Sequence, residues 1–270
     1  MEKKFIGLGL LAGALAGGAS FLYARTQIAP LIAEAISYEE ARSHAAAAAG
    51  AEHAHEHEVF TRAIQENIGA GVGTVMFAVI TGALFAVALT VVSATLQRHR
   101  VVADPRLVAV LVAGAGFVSV AAVPWVAYPA NLPGVGAPET AGDRTTAYLA
   151  LLIASVALAA VAGIAALRMA ARFGGWVAGV SGCVGYLAAM AAVIMALPSY
   201  DETPAPLTDL DGTILFPGFP AGLLAEFRSE ALICQAVLWI VLAGSFAVLL
   251  PHVLKTRPAR NTGGALYAHR

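Results

Sequence analysis

Long apolar runs separated by short polar segments set the pattern of this chain. Six runs, at 5–23, 68–96, 107–128, 146–167, 176–197 and 231–253, contain no Asp, Glu, Lys or Arg. At 1.5 Å of rise per residue, each is long enough as a helix to cross a hydrocarbon core of about 30 Å. The runs are continuous, unlike the roughly ten-residue alternating segments of a membrane barrel. In lipid only a helix satisfies the backbone of such a run from within itself. The pattern therefore predicts an all-α, polytopic membrane protein with about six transmembrane helices, 1–270 forming a single transmembrane domain.

The first run has Lys3 and Lys4 before it and Ala24 just after it, flanks that would also suit a secretory leader. It is longer than a typical leader core, and it carries Gly9, Gly13 and Gly17 at four-residue spacing. That spacing lines one helix face with glycine and lets a neighbouring helix approach closely. The reading favours a retained, packed helix.

Composition agrees with a membrane class: 59% of residues are hydrophobic, 12% are charged and the mean hydropathy is +0.76. A soluble domain carries about 25% charged residues. Charge also gives an orientation, because Lys and Arg concentrate on the cytoplasmic side. With six spans and the amino terminus inside, eleven of the 16 Lys and Arg fall inside, as do only Glu2 and Asp104 of the 17 acids. Both termini are expected inside. Three longer segments then lie outside: a His/Glu-rich loop at 25–67, a Pro/Gly-rich loop at 129–145 and an acidic loop at 198–230.

The outer 25–67 segment holds the chemistry. His44, His53, His55 and His57 are four of the chain's seven histidines, interleaved with Glu40, Glu56 and Glu58. Neutral imidazole with carboxylate suits borderline divalent ions such as cobalt, nickel and zinc. As a helix, residues 53–57 would put His53 and His57 on one face, and Glu40 and His44 share that spacing. As a strand, His53, His55 and His57 would all point to one side. Either conformation presents at least two imidazoles together. Such tracts also chelate weakly without a fixed site, the blander alternative.

Other features limit the mechanism. The chain contains no GxxxxGK[ST] phosphate loop, and no span carries a central ionisable relay of the kind proton-coupled pumps use. An ion crossing here would meet carbonyls, hydroxyls such as Thr74, Thr81, Ser93 and Ser119, thiols or thioethers. Cys183 and Cys234 fall at different depths and read as separate thiols. An enzyme is disfavoured, because the remaining histidines, His99, His252 and His269, lie opposite the cluster. Nothing suggests nucleic-acid binding.

The order of motifs resembles the CbtA family of probable cobalt transporter subunits. The resemblance rests on the glycine-rich first span, on Ser37-Tyr38-Glu39-Glu40-Ala41 leading to His44 and the HAHEHE run, and on Val123-Pro124. It continues through Tyr128-Pro129-Ala130-Asn131, Arg144-Thr145-Thr146-Ala147-Tyr148-Leu149 and Phe219-Pro220-Ala221. Phe227-Arg228, Gln235 and Leu238-Trp239 complete it. The resemblance implies uptake of divalent cobalt, with nickel chemically close, across a bacterial plasma membrane. It also implies a small, single-span, His-rich partner, CbtB. No permanently bound cofactor is expected, and homo-oligomerisation stays open. Pro129, Asn131, Pro133 and Arg144 are expected to shape the external mouth. Asn131 reads as a loop cap sooner than a metal ligand, and Arg144 as the partner of an outer acid such as Glu39 or Glu202. A non-transporting membrane metal sensor or scaffold is the alternative function.

Overall fold

The computed structural model describes residues 2–49 and 68–255. Eight helices occur among them: α1 (Glu2–Tyr23), α2 (Ala29–Ala48), α3 (Ala70–Arg98), α4 (Pro105–Gly116), α5 (Val123–Ala127), α6 (Ala141–Phe173), α7 (Gly175–Ala196) and α8 (Ala221–Lys255). They supply six helices long and apolar enough to cross a membrane, in register with the six apolar runs. Large side chains such as Leu84, Ile153, Val184 and Ile240 are exposed along them. That is the expected outer surface of a bundle solvated by lipid.

The bundle is organised on α1. Lipid is as apolar as leucine, so helices in it associate through close packing and not through a hydrophobic drive. Gly9, Gly13 and Gly17 face α3, where a Cβ on Gly13 would come 2.5 Å from the Ala78 carbonyl oxygen and one on Gly17 would come 2.9 Å from Val75 Cα. Gly82 of α3 returns the contact, its missing Cβ standing where the Gly9 carbonyl lies. Leu8, Ala12 and Ala16 of α1 then join Phe85 and Leu89 of α3 and Leu242 and Phe246 of α8 in the main core. α4 adds Val108, Ala109 and Ala113. The glycine spacing is thus the contact surface it was read as.

Two helices are interrupted by a wide π turn just before a proline. Ala24–Ile28 separates α1 from α2 ahead of Pro30, and Phe117–Ala122 separates α4 from α5 ahead of Pro124. Proline has no N–H to give and its ring crowds the carbonyl four residues back. A wider turn accommodates both without ending the helix. This is why the helix runs from Lys4 to Ala48 in one piece, carrying the first half of the 25–67 segment with it.

α6 and α7 pair with each other, joined through Gly174 at φ +82°. They meet the bundle near α5, where Val123, Leu151, Tyr186 and Met190 are buried together. A small antiparallel hairpin, β1 (Leu207–Thr208) with β2 (Ile214–Phe216), lies in the acidic segment, an element the apolar pattern does not announce. Cys183 and Cys234 are free thiols.

Gly13→Val should expel α1 from its seat on α3 and cost at least the ~1–3 kcal/mol typical of an overpacked core. Gly18→Val, at a position with nothing within 4 Å, should be tolerated. Thermal melts of the two variants in detergent would show it; equal melts would refute the seam as the organising contact.

Candidate functional site

The polar segments gather at one end of the bundle into a cap. Leu31 and Ala35 of α2 are buried against Leu223, Leu224 and Phe227 of α8 and against Leu132 and Val135 of the 129–145 loop. One turn on, Tyr38 packs its ring against Phe216 and Phe219, at centroid distances of 5.3 and 4.9 Å, and donates its hydroxyl to the Pro217 carbonyl at 2.8 Å. Arg42 Nη1 donates to the Ala205 carbonyl at 2.8 Å. Residues 31, 35, 38 and 42 recur at helical spacing, so one face of α2 is bound along its length, first to α8 and the 129–145 loop and then to the segment before α8.

Glu40 and His44 occupy another face. They follow Tyr38 and Arg42 by two positions each, a rotation of about 200°, and both are exposed. Their four-residue spacing makes them neighbours on that face, as the sequence predicts. Two such side chains do not complete a metal site, and no group of three or more His, Cys, Asp or Glu placed to hold a metal occurs among the described residues. His53, His55, His57, Glu56 and Glu58 lie outside the described residues.

Much of the remaining acidity of the cap is already used. Glu202 holds the 129–145 loop in place. It accepts from Thr140 Oγ1 at 2.5 Å and from the Ala137 backbone N–H at 2.7 Å. Arg144 Nε stands 3.5 Å from the same carboxylate, close enough for charge attraction but without hydrogen-bond geometry, while its Nη2 donates to the Ala137 carbonyl at 3.1 Å. Gly136, at φ +109°, lies where a Cβ would strike that guanidinium, so only glycine fits there. The Arg144 pairing expected from the sequence is therefore made with Glu202. The Thr140 hydroxyl first, then the Ala137 N–H and then the Arg144 charge, hold the Glu202 carboxyl below its ordinary pKa.

Asp209 Oδ1 accepts from the backbone N–H groups of Asp211 and Thr213 at 3.0 and 2.8 Å and shapes the hairpin turn. Asn131 Oδ1 accepts from Arg228 Nη2 at 2.8 Å, so its oxygen is engaged by α8. Trp125 Nε1 donates to the Arg228 carbonyl at 2.9 Å and ties α5 to α8 beneath the cap.

Within the spans, Thr81 and Ser119 donate to carbonyls four residues back on their own helices, the local bond that usually occupies such hydroxyls. The buried Ser155 hydroxyl bonds the Ser119 carbonyl at 2.6 Å and the Tyr186 hydroxyl at 2.7 Å. The π turn that opens the Ser119 region could not be read from the sequence, and neither could this network.

Glu202 makes the cap pH-sensitive. Its folded pKa is depressed, so its contribution to stability is full above the ordinary carboxyl value of 4.5 and disappears as pH falls through the lower folded value. Glu202→Gln should melt below the native chain at neutral pH, with the gap closing as the medium becomes strongly acid. A constant gap across pH would show that the charge is not what matters.

A family model described as "Probable cobalt transporter subunit (CbtA)" matches residues 2–251 of the chain. No curated protein and no solved structure matches it.

Proposed function

The chain belongs to the CbtA family of probable cobalt transporter subunits, and on that premise we propose that it captures divalent cobalt at the cap and passes it inward with a small partner. His44, His53, His55 and His57 are the proposed imidazole ligands, with Glu40, Glu56 and Glu58 as carboxylates. The observation that supports this reading is the exposed Glu40–His44 pair on a helix firmly bound along its other face. That helix ends at Ala48, five residues before the HAHEHE run begins at His53. A fixed two-ligand start followed directly by three more imidazoles suits collection of borderline ions.

The proposal places the cap outside a bacterial plasma membrane and both termini inside, in keeping with the distribution of Lys and Arg. The partner in this reading is a single-span, His-rich subunit of the CbtB kind. Imidazole and carboxylate accept nickel as well as cobalt, so preference for cobalt would depend on steps after capture. A sensor that holds metal without loading the cell is the competing reading.

Cobalt titration of the full-length chain and its His53→Ala/His55→Ala/His57→Ala variant addresses capture directly. The variant should bind cobalt at least about tenfold more weakly, in line with lost metal-site contacts. It should also slow cobalt accumulation in cells that lack other importers but co-express the partner. Unchanged binding by the variant would remove the capture role. Metal bound with no accumulation by the native chain would favour the sensor.

A further inference from the structure

The α6–α7 hairpin meets the rest of the bundle over only part of its length. α6 leans on the π turn at Phe117–Ala122 and on α5. Its buried residues, Ala147, Leu151 and Ser155, all lie in the half nearer the cap, and none from Val156 to Phe173 is buried. α4 shows the other side of the same gap. Val123, Ser119, Ala115 and Leu111 follow one another at four-residue spacing, so the face that sets Val123 beside Leu151 continues to Ala115 and Leu111. Val123 and Ser119 are buried there, whereas Ala115 and Leu111 are exposed, Leu111 at 63%. The two surfaces therefore part below the bond from Ser155 to the Ser119 carbonyl. They leave a wedge that opens toward the end away from the cap.

The mouth of the wedge is basic. Leu151, Leu158, Ala165 and Arg172 recur every seven residues on α6, so the face that meets α5 above leads down to Arg172. Arg168, one turn before it, is exposed as well, and Arg106 opens α4 at the same end. Among the described residues none of these three arginines is paired with an acid. Arg172 lies over the Phe173 ring at 5.4 Å, which leaves its N–H groups unspent. Besides Glu2 of α1, the acid at this end among the described residues is Asp104. Its carboxylate already caps α4, accepting from the Arg106 backbone N–H at 2.8 Å. Phe173 and Trp176 flank the turn between α6 and α7 and are both exposed, as aromatic rings at the level of lipid headgroups are.

We propose that the wedge seats an anionic phospholipid of the phosphatidylglycerol kind, its phosphate held by Arg168 and Arg172 and one acyl chain lying between Leu111 and Ala165. Guanidinium pairs with phosphate oxygens through two parallel N–H bonds. Basic groups between helices at a membrane surface are a usual seat for anionic headgroups. A zwitterionic lipid would bring its own cation to the same arginines and bind less well. The openness of the wedge suits a lipid, which enters sideways from the bilayer and needs the apolar walls that a soluble anion does not. A helix of another chain would fit the walls alone; the unpaired arginines at their mouth select the lipid. This lipid would bind whether or not the chain carries cobalt.

Native mass spectrometry of the full-length chain in detergent, with equimolar dioleoyl-phosphatidylglycerol and dioleoyl-phosphatidylcholine as probes, reads the preference directly. The native chain should retain phosphatidylglycerol about tenfold over phosphatidylcholine, and inorganic phosphate in large excess should not displace it. Arg168→Gln/Arg172→Gln should reduce that preference about tenfold. Arg98→Gln/Arg100→Gln removes the same charge from the end of α3 and the loop after it, and should leave the preference within about twofold. Leu111→Trp, with charge unchanged, should fill the wedge and lower phosphatidylglycerol retention several-fold. Absence of a preference in the native chain, a result that depends on no variant folding, would overturn the site. Equal losses from the two arginine pairs would overturn it in favour of a diffuse effect of charge. Displacement by phosphate would overturn lipid as the occupant, and full retention in Leu111→Trp would overturn the place given to the acyl chain.

Discussion

The close approach of α1 to α3 is the constraint on which the rest of the architecture depends. Backbone meets backbone at Gly9, Gly13 and Gly82, and in a membrane this contact replaces the hydrophobic drive that water would provide. Its consequences extend past the bilayer, because α1 continues through a π turn into α2 without ending. The 45-residue helix from Lys4 to Ala48 spans about 68 Å at 1.5 Å per residue, more than twice a hydrocarbon core of about 30 Å. Fixing its membrane half fixes the direction of its outer half. α8, 35 residues long, overshoots the membrane in the same way and gives α2 an apolar partner in Leu223, Leu224 and Phe227.

The sequence shows the spans and the glycine seam plainly, because uncharged length and four-residue glycine spacing have few other physical meanings. It is less informative where a helix leaves the membrane. Arg25 and Pro30 look like the end of a span, yet a wide turn absorbs the proline and the helix continues to Ala48. The burial of Leu31 and Ala35, at helical spacing, is what sustains it, and that signal is hard to see among so many alanines. The hairpin at 207–216 is built from five strand residues, too few to set a pattern. The pairing of Arg144 with an outer acid was legible in kind, but only the fold chooses Glu202 over Glu39. The Ser155–Ser119–Tyr186 network was not legible at all, because its members come from three segments far apart in the chain and nothing local marks them as partners.

Composition alone overstates the number of oxygen ligands the cap can offer. Glu202 is committed to the Pro/Gly loop, Asp209 to its hairpin turn and Glu230 to Tyr23. These carboxylates build the platform. The pair that faces outward on the far side of α2, Glu40 with His44, is exposed because the opposite face is spent on packing. Packing and exposure are thus divided between two faces of one helix.

The π turn at Ala24–Ile28 lies between the two contacts that hold this long helix, the glycine seam on α3 and the packed face of α2. Membrane bundle and cap are therefore joined by one continuous helix whose winding changes between them, and the same helix carries Glu40 and His44 on its exposed face. The six apolar runs hold no Asp, Glu, Lys or Arg. An ion must be bound firmly enough to enter a conduit and loosely enough to leave it, and a path without carboxylates meets the second condition more readily than the first. Imidazole and carboxylate, the donor types that suit a borderline divalent ion, are concentrated instead in residues 25–67.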